Sequence, residues 1–311
     1  MSDESSYTPE EVAKILKISR FTVYELIKRG ELTAYHIGRK VRVEPEDLER
    51  YKQNAKGCPP TLTQSTVKAA QSLVNLDEGL IICGQDMVLD ILARHLQTAL
   101  PQLRFLRHYI GSIPGLLELY KGSANLATAH LWDGDSGDYN TAYVRRLLPG
   151  QKTVIYNLLY RYEGFYVAKS NPKSIRTWND LTRPEVRFVN RECGSGARVL
   201  LDEQFRNLGI ESTSVLGYSH EETSHLAVAS SIARGEADVG LGTEKGAFQV
   251  AGIEFVPLQK ERYDLVMRKE DLVKPHFQKV IAILHSTTFR NEVAGMGGYD
   301  ISEMGKLMAE L

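Results

Sequence analysis

Four short stretches of this 311-residue chain put small and hydroxyl-bearing residues where a loop hands over to a helix. They are Gly84-Gln85-Asp86, Gly111-Ser112, Gly194-Ser195-Gly196-Ala197-Arg198 and Thr223-Ser224-His225. Small residues let backbone N–H groups approach a ligand, and the positive end of a helix favours negative charge. Ser112, Ser195 and Ser224 add hydroxyl donors. Brought together, such loops could hold one oxyanion. Each serine is equally suited to plain helix capping, the commoner use of serine there. His130 and Arg198 add positive charge that suits carboxylates, phosphates or a larger cofactor-like anion.

Other chemistry is thin. The chain has no P-loop, no H-E-x-x-H and no G-x-S-x-G. No nucleophile is positioned beside a base, so the expectation is a protein that is not an enzyme. His220 and His225 lack accompanying cysteines or a carboxylate frame, so no metal site is read there. Cys58, Cys83 and Cys193 show no ligand-like spacing, which excludes a disulfide framework and fits a reducing compartment. Cys83 and Cys193 read as small buried fillers. The segment AHLWDGDSGDYN, with His130, Trp132, Asp133, Asp135, Asp138, Tyr139 and Asn140, reads either as a solvated acidic loop or as a wall or lid of a cleft.

A second group of residues suits a different partner. Between residues 14 and 42 there are eight basic residues and two acidic ones, in a chain whose net charge is −1. Phosphate neutralisation needs such a local excess. Ser19, Arg20, Thr22 and Tyr24 open a second short helix that ends near Lys28, where a recognition helix meets base edges or phosphates. Arg39, Lys40 and Arg42 lie on a following hairpin and can reach backbone or minor groove. Double-stranded DNA is the implied partner. The rival reading is a small interaction domain with a solvated basic face.

The elements that position these groups follow from punctuation and period. Thr8-Pro9-Glu10-Glu11 predicts a capping box and a helix start, with Val12, Ile15 and Leu16 on one face. Ser19 caps the next helix, Val23, Leu26 and Ile27 face inward, and Gly30 ends it. LTAYHIGRKVRV alternates as a hairpin does, and Pro45-Glu46-Asp47-Leu48 starts a third helix with Leu48 and Tyr51 inward. Residues 1–53 therefore read as a winged helix-turn-helix. Residues 54–78 read as a linker with a connecting helix.

From residue 79 to 311 strands alternate with helices, as in a parallel α/β sheet. LIIC, RFLRHYI, ANLATAHL, VRFVN and DVGLG read as strands, and GIEFVPL and YDLVMRK as two more. TVIYNLLYRYEGFYVAK, residues 153–169, is long enough to cross between two lobes. The ending PHFQKVIAILHSTTFRNEVAGMGGYD reads as helices. Open α/β sheets bind ligands at strand C-termini, so a cleft between the lobes is expected to hold the loops described first. The polar, acidic start has no basic n-region or apolar h-region, and no apolar run approaches about 18 residues, which reads as a soluble cytoplasmic protein without a membrane partner.

Two resemblances sharpen these expectations. The segment YTPEEVAKILKISRFTVYELIKRGELTAYHIGRKVRVEPEDLERYK resembles the excisionase/MerR-type winged helix-turn-helix. The segments SIRTWNDLTRPEVRFVNRECGSGARVLLDEQFRNLGI and SHLAVASSIARGEADVGLGTEKGA resemble the type 2 periplasmic-binding-protein superfamily, in particular the PBP-like domain related to molybdate and tungstate binders. This second resemblance implies a two-lobed α/β body that closes on an anion, with no covalent cofactor. The anion it implies is molybdate or tungstate, held by neutral hydroxyls and amides. Ser112, Ser195, Ser224 and Thr243 match that habit, alongside Gln85, Asp86, His130, Gly196, Ala197, Arg198 and His225. Together the resemblances imply a dimeric, one-component transcription regulator. The alternative is a cytosolic anion- or cofactor-binding protein whose head docks a protein.

Overall fold

The computed structural model describes residues 6–28, 32–38, 40–55 and 79–311. The chain divides into two compact units, residues 1–75 and 76–311. Arg29, Gly30, Arg39, Cys58 and most of the expected linker (residues 56–78) lie outside the described residues.

The first unit holds α1 (Pro9–Leu16), α2 (Arg20–Lys28), the strands β1 (Tyr35–Ile37) and β2 (Lys40–Arg42), and α3 (Pro45–Ala55). Thr8 caps α1 through a complete capping box: its backbone N–H donates to Glu11 at 2.7 Å and the Glu11 N–H donates back to its hydroxyl at 3.3 Å. Lys17 adopts φ 55° at the helix end, which frees the chain to turn into α2. Ser19 then accepts from the Thr22 N–H at 3.1 Å. Val12, Ala13, Val23, Leu26, Leu32, Val43 and Leu48 form the small core. Of the three residues expected on one face, Val12 and Leu16 pack and Ile15 is exposed. β1 and β2 pair antiparallel, Tyr35 opposite Arg42, which makes the expected hairpin.

The second unit is built on a sheet of mixed direction. Its strands are β3 (Gly79–Cys83), β4 (Arg104–His108), β5 (Leu126–Ala129), β8 (Thr153–Ala168), β9 (Phe188–Arg191), β10 (Glu221–Glu222), β11 (Val239–Thr243), β12 (Ile253–Arg268) and β13 (Leu307–Glu310). Among the described residues the order is β10-β9-β11-β8-β12-β5-β3-β4, with β13 on β8. β3, β4 and β5 are parallel to one another, as are β9, β10 and β11. β8 and β12 are antiparallel to each other, and each is antiparallel to the group it adjoins, β8 to β11 and β12 to β5. The sheet is therefore not purely parallel, and β13 adds a strand beyond the expected C-terminal helices.

β8 and β12 are each 16 residues long and pair along their whole length. A strand of that length spans roughly 50 Å at about 3.3 Å per residue, so one pair of strands threads both lobes. Reading GIEFVPL and YDLVMRK as separate strands misses the join. The intervening Gln259-Lys260-Glu261-Arg262 lacks apolar residues, yet the strand runs through it, and Glu261 and Arg262 are buried there.

Side-chain alternation covers each lobe on two faces. In the first lobe, Leu80, Ile82, Leu126 and Leu265 pack under α4 (Val88–Ala99), α10 (Pro275–His285) and α11 (Thr287–Gly295). Their opposite-parity neighbours Cys83, Ala127, Ala129 and Val266 pack under α5 (Ser112–Lys121) and α6 (Thr141–Leu147). In the second lobe Phe165, Val167 and Phe188 meet α7 (Gly196–Leu208), while Tyr166 and Val189 meet α8 (His225–Ala233) and the short α9 (Glu244–Ala247). The sheet is thus sandwiched by helices in both halves.

The acidic stretch after β5 is neither a free loop nor a lid. It forms a hairpin of β6 (Trp132–Asp133) and β7 (Asp138–Tyr139), pinned to the crossing strands. Arg262 donates to Asp138 at 2.7 Å, Gln259 to the Tyr139 hydroxyl at 2.6 Å, and Asn140 to Asp264 at 2.8 Å.

Candidate functional site

The loops singled out in the sequence converge on one cavity of about 470 Å³ in the second unit. Its wall includes Gln85, Asp86, Ser112, His130, Ser195, Ser224, His225 and Thr243. Gly196, Ala197 and Arg198 do not line it. The Arg198 guanidinium is committed elsewhere, to Asp202 at 3.0 Å and Glu221 at 2.8 Å, and it lies over the Tyr218 ring. These contacts hold its pKa above the usual arginine value despite partial burial.

Three helices start at this cavity. Ser112 opens α5, Ser195 caps α7 and Ser224 caps α8. The hydroxyls of Ser195, Ser224 and Thr243 cap, as the alternative reading expected, but capping uses only their lone pairs. Ser195 accepts from the Arg198 N–H at 3.3 Å, Ser224 from the Ala227 N–H at 3.1 Å and Thr243 from the Gly246 N–H at 3.4 Å. Ser112 accepts from the His130 N–H at 3.3 Å. Each O–H hydrogen is left to donate, and it does so beside a helix N-terminus or a short turn.

Close backbone approach depends on glycine in two places. Gly84 has φ 144°, and a Cβ there would collide with the Thr128 hydroxyl and come within 2.7 Å of Leu89 Cδ1. A Cβ on Gly196 would drive into the His130 ring.

Sequence reading missed the groups on the cavity floor. Arg161 from β8 and Arg191 from β9 both line it, as do Thr128, Lys245, Tyr263 and Tyr299. Arg161 is 4% exposed, donates Nε to Glu261 and Nη1 to Asp86, and lies 4.3 Å above the Tyr263 ring. Arg191 donates to Gln85 and to Glu192, both at 2.8 Å. Arg161 Nη2 and Arg191 Nη1 make no hydrogen bond among the described residues. The cavity thus offers two uncommitted guanidinium N–H groups besides its hydroxyls. The available signal was the pair of charged segments YRYEGFY and QKERYD, each with charges inside an otherwise strand-like run.

Burial shifts the acid–base groups strongly. His225 is half-buried on the cavity wall with its Nδ1 shut away from solvent and unpartnered, and this burial, with repulsion from Arg191 and Arg161, holds its pKa well below the usual histidine value. It is neutral. Burial, then the neighbouring Glu261, pushes the Glu163 pKa well above the carboxylate range. Burial opposes ionisation of Glu261 too, but Arg161 and His130 outweigh it and hold that pKa down near 2. Tyr263 is pushed up to about 12, chiefly by burial, so its hydroxyl stays protonated, 2.6 Å from Thr128.

The two lobes touch across the cavity mouth. Gln85 of the first lobe meets Arg191, Glu192 and the Thr223 carbonyl of the second. The Ile113 N–H donates to the Gly194 carbonyl at 3.0 Å, and Lys245 reaches the Met296 carbonyl.

In the first unit, α2 presents Arg20, Phe21, Thr22, Tyr24 and Lys28 to solvent, and Phe21 is 74% exposed. Arg20 bridges to Glu10 at 2.8 Å, an exposed pair of small worth that DNA phosphate can displace. Lys40 is exposed on β2 and Arg42 is half-buried beside it. Seven of the residues expected to meet DNA, Ser19 included, thus lie on α2, its capping turn or β2, and the eighth, Arg39, is outside the described residues.

A model of the PBP superfamily domain matches residues 93–285, and a helix-turn-helix domain model matches residues 6–56. The Bacillus subtilis (strain 168) protein named "Uncharacterized protein YvgK" is 41% identical over the full length of both chains. Among solved structures, a Clostridium perfringens protein named as a phosphate ABC transporter substrate-binding protein, with phosphate bound, aligns with a TM-score of 0.54 at 16% identity. It covers 71% of this chain and 98% of its own. EhuB in complex with hydroxyectoine aligns at 0.52 and 12%, covering 71% and 89%. At such identities the likeness speaks to the fold. No helix among the described residues is long and apolar enough to cross a membrane.

Proposed function

Because the chain belongs to the PBP superfamily and carries a helix-turn-helix domain at its N-terminus, we propose that it is a ligand-responsive transcription regulator, acting in the cytoplasm as a homodimer. The first unit binds operator DNA. The second closes on a small anion, and the free energy of closure is coupled reciprocally to operator affinity. Both kinds of domain are binding modules, and the reading needs no catalytic step.

One observation carries the anion assignment: three helix N-termini and four hydroxyls with unspent donor hydrogens meet two uncommitted guanidinium N–H groups in one cavity. Preorganised donors of this kind favour negative charge. That the neighbouring Clostridium perfringens fold holds phosphate supports the same class.

The cavity also informs ligand size. About 470 Å³ falls in the range of roughly 300–1,000 Å³ that suits organic ligands. Met87, Tyr109 and Leu226 line it and are 43%, 60% and 49% exposed, giving an apolar rim. A carboxylate or phosphate carried on an organic body fits best. Molybdate or tungstate is the second reading, favoured by the serine and threonine hydroxyls.

A thermal-shift screen on the full chain tests both readings. Phosphate, sulfate, molybdate, tungstate and small organic carboxylates and phosphates are compared. A ligand at 100 times its Kd adds about 2.7 kcal/mol. Stabilisation by an organic anion beyond that by any inorganic one supports the first reading. Selective stabilisation by molybdate over sulfate supports the second. No shift with any anion overturns both. A footprint across the chain's own promoter region, with and without the stabilising ligand, tests the regulator itself; its absence favours a head that docks a protein.

A further inference from the structure

Behind the cavity floor lies a group of side chains that anion binding does not use. Glu163 of β8 is fully buried, no donor group reaches either carboxyl oxygen, and its near neighbour is the Glu261 carboxyl. An ordinary buried carboxyl is hydrogen-bonded, and an orphan of this kind is destabilising. Glu261 of β12, 1% exposed, contacts His130 Nδ1 through Oε2 at 2.8 Å. One donor atom each from His130, Glu163 and Glu261 lies within 4.8 Å of the others.

We propose that His130, Glu163 and Glu261 bind one first-row divalent cation at the crossing of the two lobes. The arrangement supports this in three ways. The donor set of one imidazole nitrogen and two carboxylates suits zinc or manganese rather than a soft, thiolate-seeking ion. Donors of one tetrahedral ion bonded at about 2.1 Å lie about 3.4 Å apart, so this set, with its atoms within 4.8 Å of one another, closes inward when the ion binds. The ion also meets a local need for charge. Asp86 and Glu261 pair with Arg161, and Glu192 with Arg191, whereas Glu163 has no ion-pair partner among the described residues, and a divalent cation supplies one. It gives the Glu163 oxygens the partner they lack.

Access is available because His130 also lines the cavity. An oxygen of a bound anion can complete the coordination from that side, which ties the cation to ligand closure. The donors come from the chain after β5, from β8 and from β12, and His130 and Glu261 are 131 positions apart. No local spacing announces the site, and sequence reading placed no metal here.

The test is titration of chelator-stripped full-length protein with manganese chloride and, separately, zinc chloride by calorimetry. Manganese is included because the thiols of Cys58, Cys83 and Cys193 do not compete for it. We expect one ion per chain and at least a tenfold loss of affinity in Glu163→Gln and in His130→Asn. Each variant's melting temperature without metal establishes that it folds. Absence of stoichiometric binding by the parent chain, or equal binding by Glu163→Gln, overturns the site. Phosphate-induced stabilisation is measured in chelator alongside. If it persists while no cation binds, the cation site falls and the anion reading stands. If it is absent in chelator and stays absent when manganese is restored, while the cation still binds, the cation site stands alone; if manganese restores it, the two sites are coupled.

Discussion

Arg161 and Asp86 form a buried ion pair across 75 positions of sequence, Nη1 of the arginine meeting Oδ2 of the aspartate. Both side chains are 4% exposed. Asp86 also accepts from the Val88 N–H at 2.8 Å and the Tyr299 hydroxyl at 2.9 Å. The pair ties a first-lobe loop to the crossover strand, and Arg161 extends the tie to Glu261. Replacing Arg161 with Met leaves two buried carboxylates without their cation. Breaking such a pair from one side costs about 3–5 kcal/mol. The expected outcome is a loss of that size in urea unfolding of Arg161→Met, with the anion-induced thermal shift abolished.

Glu163 makes stability depend on pH in an unusual direction. Its folded pKa is raised, so between about 4.5 and the raised value the folded chain holds a proton that the unfolded chain has lost. Stability therefore falls as pH rises through that window. Glu163→Gln keeps the shape and removes the titration. In chelator, its melting temperature relative to the parent is expected to climb from pH 5 to pH 8. A difference that stays flat with pH means Glu163 is ionised in the folded chain.

His225 acts on the acid side. Enclosure and the nearby guanidinium groups keep it neutral when folded, while the unfolded chain protonates it below about pH 6.5. Stability is then lost as pH falls below that value. His225→Gln is expected to flatten this limb of the profile, read as melting temperature from pH 7 to pH 5.

Gln85 meets Arg191 across the mouth of the cavity at 2.8 Å, a hydrogen bond to a charged group. Gln85→Ala removes a contact that holds the lobes together and leaves each lobe's core intact. Affinity for the anion giving the largest thermal shift is expected to drop about tenfold, roughly 1.4 kcal/mol, with little change in unfolding free energy. Calorimetric titration and urea unfolding separate the two effects.

Lys40 is exposed on the hairpin of the first unit. As a phosphate contact it adds about one unit to the salt dependence of operator binding. Lys40→Ala is expected to weaken binding to operator and random duplex alike and to reduce the slope of log K against log salt by about 1. An unchanged slope removes it from the interface.

What the sequence determined by itself is mostly local. The Thr8–Glu11 capping box, the turn at Lys17, the hairpin and the basic excess of the head follow from neighbours in the chain, and so does the helix that Ser195 caps. The length of β8 marked the crossing between lobes. Its partner β12 was read as two strands because Gln259-Lys260-Glu261-Arg262 lacks the apolar alternation that signals a strand. That stretch is polar because it meets other chain segments inside the protein: Glu261 meets Arg161 and His130, and Arg262 meets Asp138. Such pairings join residues about a hundred positions apart, and only the fold brings them into register. The same holds for the cavity floor. The loop serines could be picked out from their place before helices, whereas Arg161 and Arg191 became candidates only when two strands carried them to one surface. Arg198, chosen for its charge, turned away because Asp202 and Glu221 lay closer. Charge and capping are properties of residues and their neighbours, while burial and pairing belong to the assembled sheet.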